Sequence, residues 1–280
     1  MAAQALPLRI RALTLMDVLD ESFRIYRANF PVLAGLAILL AIPLLTVQLL
    51  SGTGNVLSAY YNSLFSTTGA LPTDITAGNP YAALIQYPIQ IALLPFQFAL
   101  LFAAAVGIIL GRPVTIPSAI RAVLRRYWAL WVLSFLYGIC SVALCCPPLG
   151  IWLLTKLTMM FPALFTEEAS LSTAIERSWR LTDRAFWRTF AVILLAWVLA
   201  RVLEFSLETV FLAGAWIFPG LSVELRFLVS IAIVSVMVQV VQPLTSIAVT
   251  LLYFDLRVRK EAFDLEVMAH QLSLPEGIRS

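Results

Sequence analysis

Six long apolar blocks constrain this chain more than any other feature of its sequence. They cover about residues 31–50, 82–110, 129–146, 149–165, 187–208 and 227–253. An α-helix needs about 20 apolar residues to cross ~30 Å of hydrocarbon, whereas the strands of a membrane barrel are ~10-residue segments of alternating polarity. The blocks therefore predict an all-α integral membrane protein with six transmembrane helices, in a single polytopic domain over residues 1–280.

Composition agrees with this class and excludes others. Charged residues make up 12% of the 280 residues and apolar residues 61%, whereas soluble domains are about 25% charged. A soluble enzyme and a disordered chain are therefore excluded, and three cysteines are too few for a disulfide framework. Cys145 and Cys146 are adjacent and Cys140 precedes them, which leaves two interpretations open: a vicinal redox pair, or three small apolar side chains.

The distribution of basic residues predicts the orientation. Four groups of four, 16 of the 19 basic residues, precede the first span or follow spans two, four and six: Arg9, Arg11, Arg24, Arg27; Arg112, Arg121, Arg125, Arg126; Arg177, Arg180, Arg184, Arg188; Arg257, Arg259, Lys260, Arg279. The opposite loops hold only Arg226. By the positive-inside rule both termini are cytoplasmic. We expect these arginines to meet anionic lipid headgroups, and we expect no nucleic-acid partner.

Amphipathic segments precede the first, third and fifth spans. The first begins at Thr14, with Asp17 placed for a capping box, and the others begin near Ile116 and Leu171. Residues 22–30 also align without gaps to residues 178–186. These patterns predict three repeats of an interfacial amphipathic helix plus a transmembrane hairpin, over 14–110, 116–165 and 171–254, followed by a cytoplasmic tail, 255–280. They place Trp179 at the inner boundary of the membrane and Trp152 toward the outer one.

Several of these stretches resemble one family. They are residues 14–30 (TLMDVLDESFRIYRANF), 161–165 (FPALF), 178–182 (SWRLT), 186–187 (FW) and 253–265 (YFDLRVRKEAFDL). They resemble the bacterial glycerophosphoryl diester phosphodiesterase membrane domain family, whose members have largely unassigned roles. The resemblance implies a multi-pass protein of the bacterial cytoplasmic (inner) membrane. The catalytic phosphodiesterase domain to which some members are fused is not in this chain.

Residues for catalysis are scarce in the sequence. His270 is its one histidine, and the chain contains no Walker loop, GxGxxG, GxSxG, HExxH or CxxC motif. Asp20 lies four residues before Arg24, the spacing of an ion pair on a solvated helix face. We therefore expect no enzymatic activity, no metal and no cofactor.

Three features inside the spans carry the candidate sites. Proline and glutamine interrupt the two longest blocks, at Gln90, Pro95, Gln97, Gln239, Gln242 and Pro243. Such breaks are either kinks closed by neighbouring amides or parts of a transporter site. A stripe of small residues allows close helix packing, within the chain or with a partner: Ala103, Gly107, Gly111. Four ionisable residues predict an ion-pair cluster in the outer half of the membrane: Lys156, Arg201, Glu204, Glu208.

Two functions remain compatible with these features. The first is a non-enzymatic membrane scaffold or accessory subunit that binds other membrane protein subunits. The second is a transporter or lipid-handling protein with a polar site at the midplane. A filled interior favours the first, and a continuous polar cavity favours the second.

Overall fold

Helices form almost all of the chain that the structure describes. The computed structural model describes residues 13–50, 80–167, 170–214, 220 and 223–261, and expectations for Arg9, Arg11, the loop 51–79 and the tail beyond Glu261 lie outside these ranges. Within them there is no β-strand, and the α-helices are α1 (Leu15–Ala28), α2 (Phe30–Leu50), α3 (Pro80–Ile109), α4 (Ile116–Arg125), α5 (Tyr127–Val142), α6 (Pro147–Leu157), α7 (Met160–Thr166), α8 (Leu171–Thr182), α9 (Phe186–Gly214) and α10 (Val223–Glu261).

The helices confirm the expected class of a multi-pass, all-helical membrane protein. Five stretches are long and apolar enough to cross a membrane: Ile91–Ile109, Tyr127–Cys145, Pro147–Thr166, Phe186–Thr209 and Ala232–Lys260. The number rises to six if α1 and α2 are counted together as one broken span. Their axes differ by 86° at a break after Ala28. Helices occupy all the apolar blocks expected from the sequence, but α9 and α10 extend six and eight residues beyond the expected ends, and the fourth block is divided between α6 and α7.

Side-chain caps begin the three short amphipathic helices. Thr14 and Asp17 form the predicted capping box of α1, with bonds of 2.9 and 3.2 Å. Thr115 and Ser118 form the same reciprocal pair at α4, and Ser170 accepts from the Thr173 amide at α8. Caps of this kind depend on residues three apart, so they are decided locally.

The same two positions of each short helix are buried. They lie four and eight residues after the cap: Val18 and Ser22 in α1, Ala119 and Val123 in α4, Ala174 and Ser178 in α8. These residues are small or only moderately apolar, and they face the protein. Leu15, Leu19 and Tyr26, which the sequence assigned to a lipid-facing side, are half-buried against the protein core.

The C-terminal half of α10 is the centre of the fold. Every residue from Ser246 to Arg257 is buried, with exposed fractions of 9% or less. A helix that is apolar around its whole circumference must be covered on all sides. Here α1, α2, α3, α7, α8 and α9 all contact α10. The C-terminal part of the sixth apolar block is therefore a core helix that other helices surround.

Helix α1 runs alongside this core helix in the opposite direction. Its start is bonded to α10 through Leu13 and Asp255, and its end through Tyr26 and Val240. The amphipathic helix is thus aligned with the core half of α10, although it is nearly perpendicular to α2.

Candidate functional site

Polar side chains concentrate where the core helix ends. In the segment 253–260 of α10, the side chains of Tyr253, Asp255, Arg257, Arg259 and Lys260 each bond to another element. An apolar core helix that ends in such a segment ties several chain segments to one point. We call residues 253–260 the polar end of α10.

Asp255 is the most fully enclosed charge of the polar end. Its side chain is 0% exposed and accepts from the Leu13 amide at 2.7 Å. Arg188, at the start of α9, approaches Oδ2 at 2.9 and 3.1 Å, and Arg259 approaches both oxygens at 3.1 Å. Both guanidinium groups also donate to the Leu13 carbonyl, at 2.5 and 2.8 Å. A buried carboxylate is stable only when it is paired in this way.

Glu167 forms a second junction between α7, α8 and α10. Its Oε1 atom accepts from the Tyr253 hydroxyl at 2.5 Å and from Arg177 Nε at 2.8 Å, and Arg257 Nε lies 3.6 Å away. The Arg257 guanidinium also lies 6.0 Å from the centre of the Tyr253 ring. Charge-assisted bonds from three directions hold the loop after α7 against the core helix.

Lys156 is buried, but it does not lie with the other ionisable residues of the spans. Its Nζ atom is 3.4 Å from Asp183 Oδ1 and 5.4 Å from the centre of the Trp179 ring. Lys260 donates to the Asp183 carbonyl, whereas Glu204 is bonded to Gln242.

Positions 242 and 260 are about 27 Å apart along α10. The expected contact between Lys156 and Glu204 is therefore absent. The expectation rested on depths counted along two spans and took no account of α8, which packs against α6 and α7. Ser178 donates to the Lys156 carbonyl at 2.6 Å, and the rings of Trp152 and Trp179, which the sequence placed at opposite boundaries, are 5.2 Å apart.

Arg201 and Glu204 form the part of the expected cluster that is present. They are an ion pair within α9, in which the Glu204 side chain is 1% exposed and the Arg201 side chain 46%. Gln242 of α10 donates to Glu204 Oε1 at 3.1 Å. Glu208 is half-buried, and no ion pair to it is present among the described residues. The pair links α9 to α10 next to Pro243.

The small residues of the stripe lie in and just after the end of α3, where the chain turns back on itself. Gly111 has φ 70°, and its amide bonds to the Ile108 carbonyl while Arg112 bonds to Gly107, which closes the C-terminus of α3. A Cβ atom on Gly107 would lie 2.6 Å from Val114 Cγ2. Gly107 thus lets the returning chain approach, and Ala103 is half-buried in α3.

The helix break at Pro95 is closed by an aromatic side chain, not by the glutamines that the sequence suggested. A proline cannot donate to the carbonyl four residues earlier, and its ring opens the helix there. Before Pro95, the Trp131 indole donates to the Ile91 carbonyl at 3.2 Å and the Tyr127 hydroxyl to Ala92 at 3.0 Å. Sequence reasoning missed these contacts because they join residues 35 to 40 positions apart.

A hydroxyl from another part of the chain bonds beside Pro243, at the carbonyl that follows the one the proline leaves without a donor. The Tyr26 hydroxyl of α1 donates to the Val240 carbonyl at 2.7 Å. Gln242, which was expected to close this break, is bonded to Glu204 instead.

On the solvated face of α1, Arg24 pairs with Glu21 and not with Asp20.

Metal chemistry has no visible basis in the part of the chain that the structure describes. It contains no group of three or more His, Cys, Asp or Glu side chains placed to hold a metal ion. Cys145 and Cys146 are exposed free thiols, and Cys140 is half-buried. Two of the three cysteines are therefore not the buried apolar side chains of the second interpretation.

Comparison with known proteins adds no relative. No family model, no curated protein and no solved structure matches this chain. The resemblance to the phosphodiesterase membrane domain family rests on the quoted stretches alone. Asp255 and Arg259, in the stretch 253–265, bond to Leu13, the residue directly before the stretch 14–30.

Proposed function

We propose that the protein is a non-enzymatic integral membrane scaffold or accessory subunit of a larger membrane assembly. The observation that carries this proposal is the complete burial of residues 246–257 at the centre of the fold. A transporter needs an interior that a substrate can enter, whereas a scaffold needs a filled interior that keeps its outer surface in one shape. The burial of residues 246–257 supports the filled interior of a scaffold.

The engagement of the buried charges supports the same function. Asp255 is held by Arg188 and Arg259, and Glu204 by Arg201 and Gln242. Buried carboxylates that serve as substrate or proton sites must exchange their partners during a cycle. The bonds at Asp255 join three distant segments of the chain. Such a network holds helices in place.

We further propose that the chain consists of three repeats and that both termini are cytoplasmic. The equal spacing of caps and buried positions in α1, α4 and α8 supports the repeats. The 16-to-1 distribution of basic residues supports the orientation in a bacterial inner membrane. Cysteines introduced singly at Ser66 and Ser273, in a chain whose native cysteines are replaced by serine, test it: an impermeant thiol reagent applied from outside should label position 66 only. Equal labelling at both positions would refute the topology.

The alternative function, a transporter or lipid-handling protein, is favoured by one observation. Glu204, Arg201 and Gln242 form a polar group inside two spans, directly beside Pro243. Charges at such depth are costly and often functional. In this alternative, the ion pair would open to accept a polar headgroup.

One experiment separates the two functions. The protein is purified from its native membrane in a mild detergent and examined by native mass spectrometry. It is also reconstituted alone in vesicles that contain a fluorescent phospholipid. The scaffold function predicts a complex of fixed composition larger than one chain, and lipid movement no faster than in empty vesicles.

The alternative predicts the opposite result, and a matched pair of variants identifies its site. A single chain would then accelerate lipid movement, Glu204→Gln would abolish the acceleration, and Glu208→Gln would leave it unchanged. Glu208 is a suitable control because it lies one turn further along α9 and is only half-buried. Lipid movement by the isolated chain would overturn the scaffold function.

A further inference from the structure

Helix α10 contains a built-in hinge at Pro243. The missing amide at this position leaves the carbonyl of Gln239 without its helical donor, and proline is the commonest cause of a sharp kink in a helix. The hinge divides α10 into an arm before Pro243 and the core arm that ends in the polar end. We expect a change in the angle between the two arms at this hinge, because the proline there lacks the amide donor of a regular helical turn.

Helix α1 is attached to both arms. Leu13, just before α1, bonds to Asp255 on the core arm at 2.7 Å, and Tyr26, near the end of α1, bonds to Val240 on the other arm at 2.7 Å. From Leu13 to Tyr26 is about 20 Å along a helix, and from Val240 to Asp255 about 22 Å. The two lengths match, so α1 spans the hinge from end to end.

Packing strengthens the attachment on the hinge side. Phe23 and Tyr26 of α1 pack against a buried cluster formed by Ala200, Val241 and Leu244, which lie on α9 and on both sides of Pro243. The Tyr26 hydroxyl therefore sits where a change of the hinge angle would move its acceptor. The bond between Gln242 and Glu204 ties α9 to the first arm, and the bonds between Arg188 and Asp255 tie the start of α9 to the core arm.

We propose that α1 is a strap that sets the angle of α10 at Pro243 and, through α10, the position of the α9–α10 hairpin. Loss of the bond at either end of the strap releases the angle. The anchor at Asp255 is strong because it includes charged groups, whereas the anchor at Tyr26 is one neutral hydrogen bond and opens first. The strap is independent of the proposed function, since a scaffold and a transporter would both use it to position the hairpin.

Spin-label distances across the hinge test this proposal. With the native cysteines replaced by serine, labels are placed at Leu225 on the first arm and at Glu176 on α8. Both positions are exposed, and α8 contacts the core arm. The first arm is about 27 Å long from position 225 to Pro243, so a change of about 10° in the hinge angle displaces its end by about 5 Å.

Tyr26→Phe removes only the hydroxyl, and it should shift or broaden the distance distribution by about 5 Å. Tyr127→Phe is the matched control, because its hydroxyl closes the break at Pro95 and not the hinge. This variant should leave the distribution unchanged. An unchanged distribution in Tyr26→Phe, or an equal change in Tyr127→Phe, would overturn the strap.

A second variant keeps the test valid if Tyr26→Phe lowers the yield of folded protein. Pro243→Ala restores the missing amide and removes the hinge, so it should shift the distance by itself. Adding Tyr26→Phe to Pro243→Ala should then produce no further shift, because a helix without a hinge does not need the strap. A further shift in the double variant would show that Tyr26 acts elsewhere and would overturn the proposal.

Discussion

Substituting Asp255 with asparagine should destabilise the protein far more than any substitution on its solvated face. The Asp255 side chain is 0% exposed and bonds to Leu13, Arg188 and Arg259. Asparagine keeps the shape but loses the charge, and its amide nitrogen faces a guanidinium group. The two arginines then lose their common counterion.

The size of the effect follows from the exposure of the stranded groups. Removing one partner of a buried ion pair costs about 3–5 kcal/mol. The side chains of Arg188 and Arg259 are 26% and 39% exposed, so water recovers part of this loss. We therefore expect Asp255→Asn to lower the free energy of unfolding by an amount at the lower end of this range, about 3 kcal/mol. For a chain of this size this corresponds to roughly 6–12 °C in the melting temperature.

Thermal unfolding in detergent and hydrogen exchange are the two assays. The Leu13 amide should exchange faster in Asp255→Asn, because its acceptor there is weakened. Asp20→Asn is the control, since Asp20 is exposed on α1 and its loss should change stability by no more than about 0.5 kcal/mol. Equal melting temperatures of the two variants, with unchanged exchange at Leu13, would refute the junction.

Five further substitutions test other contacts. Lys156→Met should leave the melting temperature unchanged or raise it, because the buried lysine pairs only with an exposed carboxylate, whereas Asp183→Asn should lower it. A lower melting temperature for Lys156→Met than for Asp183→Asn would contradict this account of the ion pair. Gly111→Ala should cost about 1 kcal/mol in unfolding free energy, measured by denaturant titration, because its φ is 70°. Gly107→Ala should be destabilising, and Val114→Ala should restore much of the loss, since the new methyl group meets Val114.

The local structure of this protein could be predicted from its sequence. The apolar blocks, the cap of α1 at Thr14 and the starts of α4 and α8 near residues 116 and 171 all agree with the structure. These features depend on residues within one or two turns of each other, or on the average polarity of about twenty residues. Both quantities are present in the sequence without any knowledge of neighbouring helices.

Only the tertiary structure decided which apolar residues face lipid and which charges meet. Residues 246–257 lie within a stretch that is long and apolar enough to cross a membrane, yet all of them are buried in the protein. In a membrane protein the lipid-facing surface and the core are equally apolar, so hydropathy cannot distinguish them. Lys156 likewise pairs with Asp183 because α8 packs against α6 and α7. Tyr26 and Tyr127 bond to carbonyls near prolines of distant helices for the same reason, because such partners are chosen by helix packing, which no local pattern records.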